Sequence, residues 1–94
     1  MNKVIKHQLE MLQSFSIGCD IYVEHNPDTG GHFVERCALG EIEVVIHNNN
    51  YANVSLVVED RLGNIVDVFK LGDLNKKFFL TEEAAKKALS AYDV

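Results

Sequence analysis

The spacing of apolar positions changes twice along the chain, and each change marks a boundary between kinds of structure. Near the start, Ile5, Leu9 and Leu12 stand at i, i+4 and i+7. Val4, Met11 and Phe15 widen that stripe, while Lys3, Lys6, Gln8 and Glu10 take the other side. This is the 3.6-residue period of an amphipathic helix, predicted over roughly residues 2–13 and ended near Gly18. From Cys19 the period becomes two: Cys19, Ile21 and Val23 alternate with Asp20, Tyr22 and Glu24, the pattern of a half-buried strand. Asn26-Pro27-Asp28-Thr29-Gly30-Gly31 combines a preset φ, Asx bonding and two glycines, which predicts a turn. A second strand follows over residues 32–39. Its inward side is open between Phe33, Cys37 and Leu39 on one parity and Val34 and Ala38 on the other. Gly40 reads as a bulge or corner.

Residues 41–47 alternate, with Ile42, Val44 and Ile46 opposite Glu41, Glu43 and His47. Asn48-Asn49-Asn50 is a turn. Residues 51–59 form the next strand, with Val54, Leu56 and Val58 sharing a face. Asp60-Arg61-Leu62-Gly63-Asn64 has the form of a hairpin turn, and residues 65–71 form its partner strand. A short strand over 76–80 leads into a second helix. Thr81 stands as its N-cap, with Glu82 and Glu83 at the positive end of its dipole. Ala85, Leu89 and Tyr92 form the stripe that helix buries. The prediction is an α+β fold: a small antiparallel β-barrel or strongly bent sheet of five to six strands, flanked by an N-terminal and a C-terminal helix. Residues 1–94 are expected to form a single domain.

Charge sharpens this picture. The net charge is −5 over 94 residues, yet residues 20–60 carry eight acids against Arg36 alone. Such a segment repels phosphate, which argues against direct nucleic-acid binding, and it attracts a basic groove on another protein. The acids nominated for that contact are Asp20, Glu24, Asp28, Glu35, Glu41 and Glu43. The plainer alternative is that exposed strand positions are charged for solubility. No apolar run approaches the ~18 residues of a membrane span. The first residues lack the pattern of a signal peptide, so a cytoplasmic location in the host cell is expected and the two cysteines are expected to be reduced.

The run Lys77-Phe78-Phe79-Leu80-Thr81-Glu82-Glu83-Ala84-Ala85-Lys86-Lys87-Ala88-Leu89 resembles the ending of small β-barrel proteins encoded by phages, prophages and mobile elements of Firmicutes. In these a last strand enters an F-L-T-x-E-E-A-x-x-A-L-like helix. Gly18-Cys19-Asp20-Ile21-Tyr22-Val23 is similar to their opening strand. Here Gly72 precedes Asp73, where those proteins carry the two in the other order. The resemblance implies a mobile-element gene and a barrel fold, and it supplies no catalytic residue.

Candidate chemistry is sparse. Cys19, His25, His32 and Cys37 are spaced C-x5-H-x6-H-x4-C. A hairpin centred near Asp28 and Thr29 would set His25 almost opposite His32, and Cys19 near Cys37. The two pairs would then lie about 20 Å apart at ~3.3 Å per residue, too far for one four-ligand site. No metal or other cofactor is expected. Both cysteines fall on strands and lack the helix N-terminus that activates a thiol, and no phosphate-binding loop is present. An enzyme is therefore not expected. The function expected is that of a phage or mobile-element accessory protein that inhibits a bacterial defence system, in the manner of an anti-CRISPR. Its partner would be a host defence protein with a basic nucleic-acid groove. The alternatives are a sponge for a cyclic nucleotide signal and a structural phage component. In the sponge, Arg36, Arg61, Lys76 and Lys77 would meet phosphates, and Tyr22 or Tyr51 would stack on a base. Homo-oligomerisation is left open.

Overall fold

The computed structural model describes residues 2–25, 31–48 and 50–90. Helix α1 (Lys3–Met11) begins where the Asn2 side chain accepts a hydrogen bond from the Val4 N–H at 2.7 Å. It tightens into a 3₁₀ turn over Leu12–Ser14. Five strands follow: β1 (Asp20–His25), β2 (Phe33–His47), β3 (Tyr51–Glu59), β4 (Ile65–Lys70) and β5 (Phe78–Phe79), with a 3₁₀ turn at Leu71–Asp73. Helix α2 (Glu82–Ser90) closes the described chain. The Thr81 hydroxyl accepts from the Ala84 N–H at 3.1 Å, so Thr81 is the N-cap that the pattern predicts.

The strands form one sheet in the order β4-β3-β2-β1-β5, with every ladder antiparallel. The expectation of a barrel or strongly bent sheet is thereby corrected. The sheet is open, and its two edge strands, β4 and β5, are not paired to each other. The reason lies at the β4 edge. The Val68 N–H donates to Asp67 Oδ1 at 2.7 Å, and the Lys70 N–H donates to Asp73 Oδ2 at 3.0 Å. Carboxylates therefore occupy donors that a closing strand would need, a known way of blunting a sheet edge. Phe69 of β4 and Phe78 of β5 meet only through their rings, with centroids 5.0 Å apart.

One face of the sheet carries the main core. Ile21, Leu39, Leu56, Val58 and Phe78 are all but inaccessible, and Phe15 packs among them from the end of the N-terminal helical segment. Each such side chain contributes about 1.5–3 kcal/mol through burial. We call this the inner face. Strand β2 runs 15 residues, and its pairing with β3 slips between Leu39 and Glu41. Gly40 sits at that bulge. A Cβ there would meet the end of the Glu59 side chain, which is flexible enough to swing aside. The slip changes parity: Cys37 and Leu39 point inward before it, whereas Ile42 pairs with Leu56, and Val44 with Val54, after it. Gly40 thus acts as a bulge, and β2 stays in one sheet throughout.

The two helices take different places. Helix α1 packs on β3. Strand β4 pairs only with Ser55–Glu59, and beyond it the Gln8 side-chain amide takes the missing neighbour's place. Gln8 Nε2 donates to the Ala52 carbonyl at 2.6 Å, and the Ala52 N–H donates to Gln8 Oε1 at 2.8 Å. Helix α2 packs on β1, β2 and β5. It lies over the outer face, where Phe79 pairs with Tyr22 and where the Glu82 carboxyl feels the Arg36 guanidinium. No helix of the described residues is long and apolar enough to cross a membrane.

Candidate functional site

Helix α2 leaves the outer face of β3, β4 and the second half of β2 uncovered. The registers place its residues in rows across the strands. Glu43 pairs with Ser55, which pairs with Lys70. Glu41 pairs with Val57, which pairs with Val68. A third row is Val45 with Asn53. Glu41, Glu43, Val45, Asn53, Val68 and Lys70 are exposed, and Ser55 and Val57 are half-buried. The Lys70 ammonium donates to the Ser55 hydroxyl at 2.8 Å, which lays it across the middle row. Among the described residues, no ion pair within 4.0 Å engages Glu41, Glu43 or Lys70. The face thus presents two carboxylates on one side and an ammonium on the other, none of them ion-paired among the described residues, with valines beside them.

Past these rows the β2–β3 hairpin projects, with Val44, Val45, Ile46 and Tyr51 between 39% and 50% exposed. His47 stacks on Tyr51 with ring centroids 4.8 Å apart, and it hydrogen-bonds Asn53 at 3.0 Å.

The six acids nominated from the sequence do not form one cluster. Glu41 and Glu43 share the open outer face. Asp20 is also on the outer face but pairs with Arg36 at 3.2 Å. Glu24 lines a depression of about 310 Å³ with Lys76 and Lys77. Glu35 lies across from Val23, on the inner side, and meets His25 Nε2 at 2.8 Å. Asp28 lies outside the described residues. The nucleotide candidates are equally dispersed. Arg36 and Arg61 line one depression together with Asp20 and Asp60. Lys76 and Lys77 line another, Tyr22 is half-buried beside Phe79, and Tyr51 is at the hairpin end. Lys70, Ser55 and Val68 were not singled out by sequence reasoning. The signal that finds them is the register of β3 with β4.

Several other polar groups serve local structure. Asp60 Oδ1 accepts from the Leu62 and Asn64 N–H groups at 2.8 and 2.9 Å, tying the β3–β4 turn, where Gly63 has φ +82°. Hydrogen bonds from Asn64 and Leu62 hold its carboxyl below the usual range. The Cys37 thiol is pushed up to about 11 by burial and by Glu35 beside it. His25 pairs with Phe33, its ring stacked on it at 4.7 Å, so the expected His25–His32 opposition is displaced by one residue. Among the described residues no group of three or more His, Cys, Asp and Glu side chains is placed to hold a metal ion. The chain has no match among protein-family models, curated proteins or solved structures.

Proposed function

We propose that the chain works by binding another protein, as an inhibitor of a bacterial defence system that blocks a basic nucleic-acid groove. The observation that carries this reading is the uncovered outer face, on which Glu41 and Glu43 stand in successive rows without a partner cation among the described residues. Their Cα atoms are about 6.6–6.8 Å apart by strand rise. Free carboxylates at that spacing offer a basic groove an anionic ribbon, and the half-exposed Val45 and Val68 add apolar area on the same face. The contact narrows from six acids to these two, because Asp20 is neutralised and Glu35 is turned to the other face. The high pKa of Cys37 favours binding over thiol chemistry, because a protonated thiol is a poor nucleophile.

Association with purified host nuclease complexes tests the reading. Steered binding is fast at low salt and slows as salt rises. The E41K/E43K variant should associate more slowly than E82K/E83K, whose sites lie on α2. Equal association rates for the two variants, or binding indifferent to salt, would overturn it.

A further inference from the structure

The rows on the outer face carry a second property, which does not need the identity of any target. Glu43, Ser55 and Lys70 form one row across three adjacent strands, negative at the β2 end and positive at the β4 end. Place a twofold axis above β3 and parallel to it. Rotation about that axis keeps each row at its own height and exchanges left for right. Glu43 then faces Lys70 of the partner subunit, Lys70 faces the partner subunit's Glu43, and Ser55 and Val57 meet their own copies. The other in-plane axis, perpendicular to the strands, stacks β2 on β2 and sets carboxylates against carboxylates. The charge pattern therefore selects one packing, that of an aligned two-sheet sandwich.

We propose that this face is the interface of a homodimer, held by two reciprocal Glu43–Lys70 pairs on either side of a centre at Ser55 and Val57, with Val68 set against the partner subunit's Glu41. The Lys70–Ser55 hydrogen bond already holds the ammonium over the face, so little side-chain freedom is lost on pairing. The eight positions in these rows, each ~4.8 Å by ~6.7 Å, give only about 260 Å² of planar face. That is well short of the ~800 Å² per partner of a standard stable interface. The dimer is accordingly weak and exchanges readily. It also covers the carboxylates that the proposed function uses, so a target must compete with the second copy. The inference rests on that reading only for this consequence.

Sedimentation equilibrium of the full chain, carried from micromolar to millimolar concentration at low salt, tests it. The chain should self-associate, and salt should weaken the association. E43K and K70E should each weaken it by roughly ten-fold, since both reciprocal pairs become repulsions. E43K/K70E restores opposite charges across the axis and should recover association toward the original level. Thermal unfolding of each variant separates loss of the interface from loss of the fold. A chain that stays monomeric to millimolar concentration overturns the proposal. So does self-association that ignores both single changes, or a double variant weaker than either single one. The two readings fail separately. A monomer that still binds a nuclease through Glu41 and Glu43 refutes only the dimer, and a charge-swappable dimer without a nuclease target refutes only the inhibitor.

Discussion

Gln8 is predicted to act as a substitute strand, and its removal should cost far more than a polar residue on a helix ordinarily does. Its side-chain amide forms both hydrogen bonds that a neighbouring peptide would give Ala52, at 2.6 and 2.8 Å, where β4 does not reach. Ala52 is 3% exposed, so water replaces these bonds poorly. Two hydrogen bonds at about 1 kcal/mol each, plus part of the penalty for an orphaned donor, place Gln8→Ala at about 2–3 kcal/mol. For a domain of this size that is a fall in Tm of about 8–24 °C. Native-state hydrogen exchange should show the Ala52 amide losing more protection than the amide of Leu56, whose pairing with Phe69 of β4 is untouched. Gln8→Glu is the diagnostic variant. Its carboxylate can accept from the Ala52 N–H but stands against the Ala52 carbonyl. The folded state therefore favours the protonated acid, which raises the group's pKa above its ordinary ~4.3. Relative to the parent, this variant should be destabilised at neutral pH and should recover as pH falls through the raised value. A Gln8→Ala protein within 2 °C of the parent (about 0.5 kcal/mol or less), or a Gln8→Glu protein whose deficit is the same at all pH, would refute the substitute-strand account.

Thr81→Ala should lower stability by about 0.5–2 kcal/mol, read as a urea midpoint, because it strips the acceptor from the Ala84 N–H. Cys37, held at about 11, should react with a thiol reagent much more slowly at pH 7.5 than an unfolded control, and equal rates would show that the thiol is open. Asp60 has a lowered carboxyl pKa, so the stability it adds is present above its ordinary value of 3.8 and is lost as pH falls through the lowered one. Asp60→Asn should remove that part of the acid sensitivity, and an unchanged acid-unfolding profile would show that the turn does not depend on the charge.

Much of the fold can be read from alternation, because burial writes a period of two into a strand. Val54, Leu56 and Val58 mark the inner face of β3, and each is buried. Thr81 before two glutamates marks the start of α2 equally well. Closure could not be read, because it is decided at edges rather than faces. Asp67 and Asp73 look like solubilising charges until their bonds to β4 amides are seen. Gln8 was hidden in the same way, as one polar residue on the polar side of a helix. The acidic site failed for a geometric reason. Glu35, Glu41 and Glu43 share a parity in number, but the slip at Gly40 turns Glu35 inward and leaves Glu41 and Glu43 outward. A single bulge thus divides what charge counting treats as one cluster. The β1–β2 register differs by one residue from the symmetric turn expected, which pairs His25 with Phe33 and dissolves the His25–His32 pair.

The proposed contact surface is the open outer face of β2, β3 and β4. Amide chemical shifts of labelled protein, followed from micromolar to millimolar concentration and again on adding a purified nuclease complex, test it most directly. The amides of Glu41, Glu43, Ser55, Val57, Val68 and Lys70 should move in both series while α2 stays still. Shifts that gather instead on α2 or around the depressions beside Arg61 and Lys77, with the β3–β4 face unmoved, would contradict it.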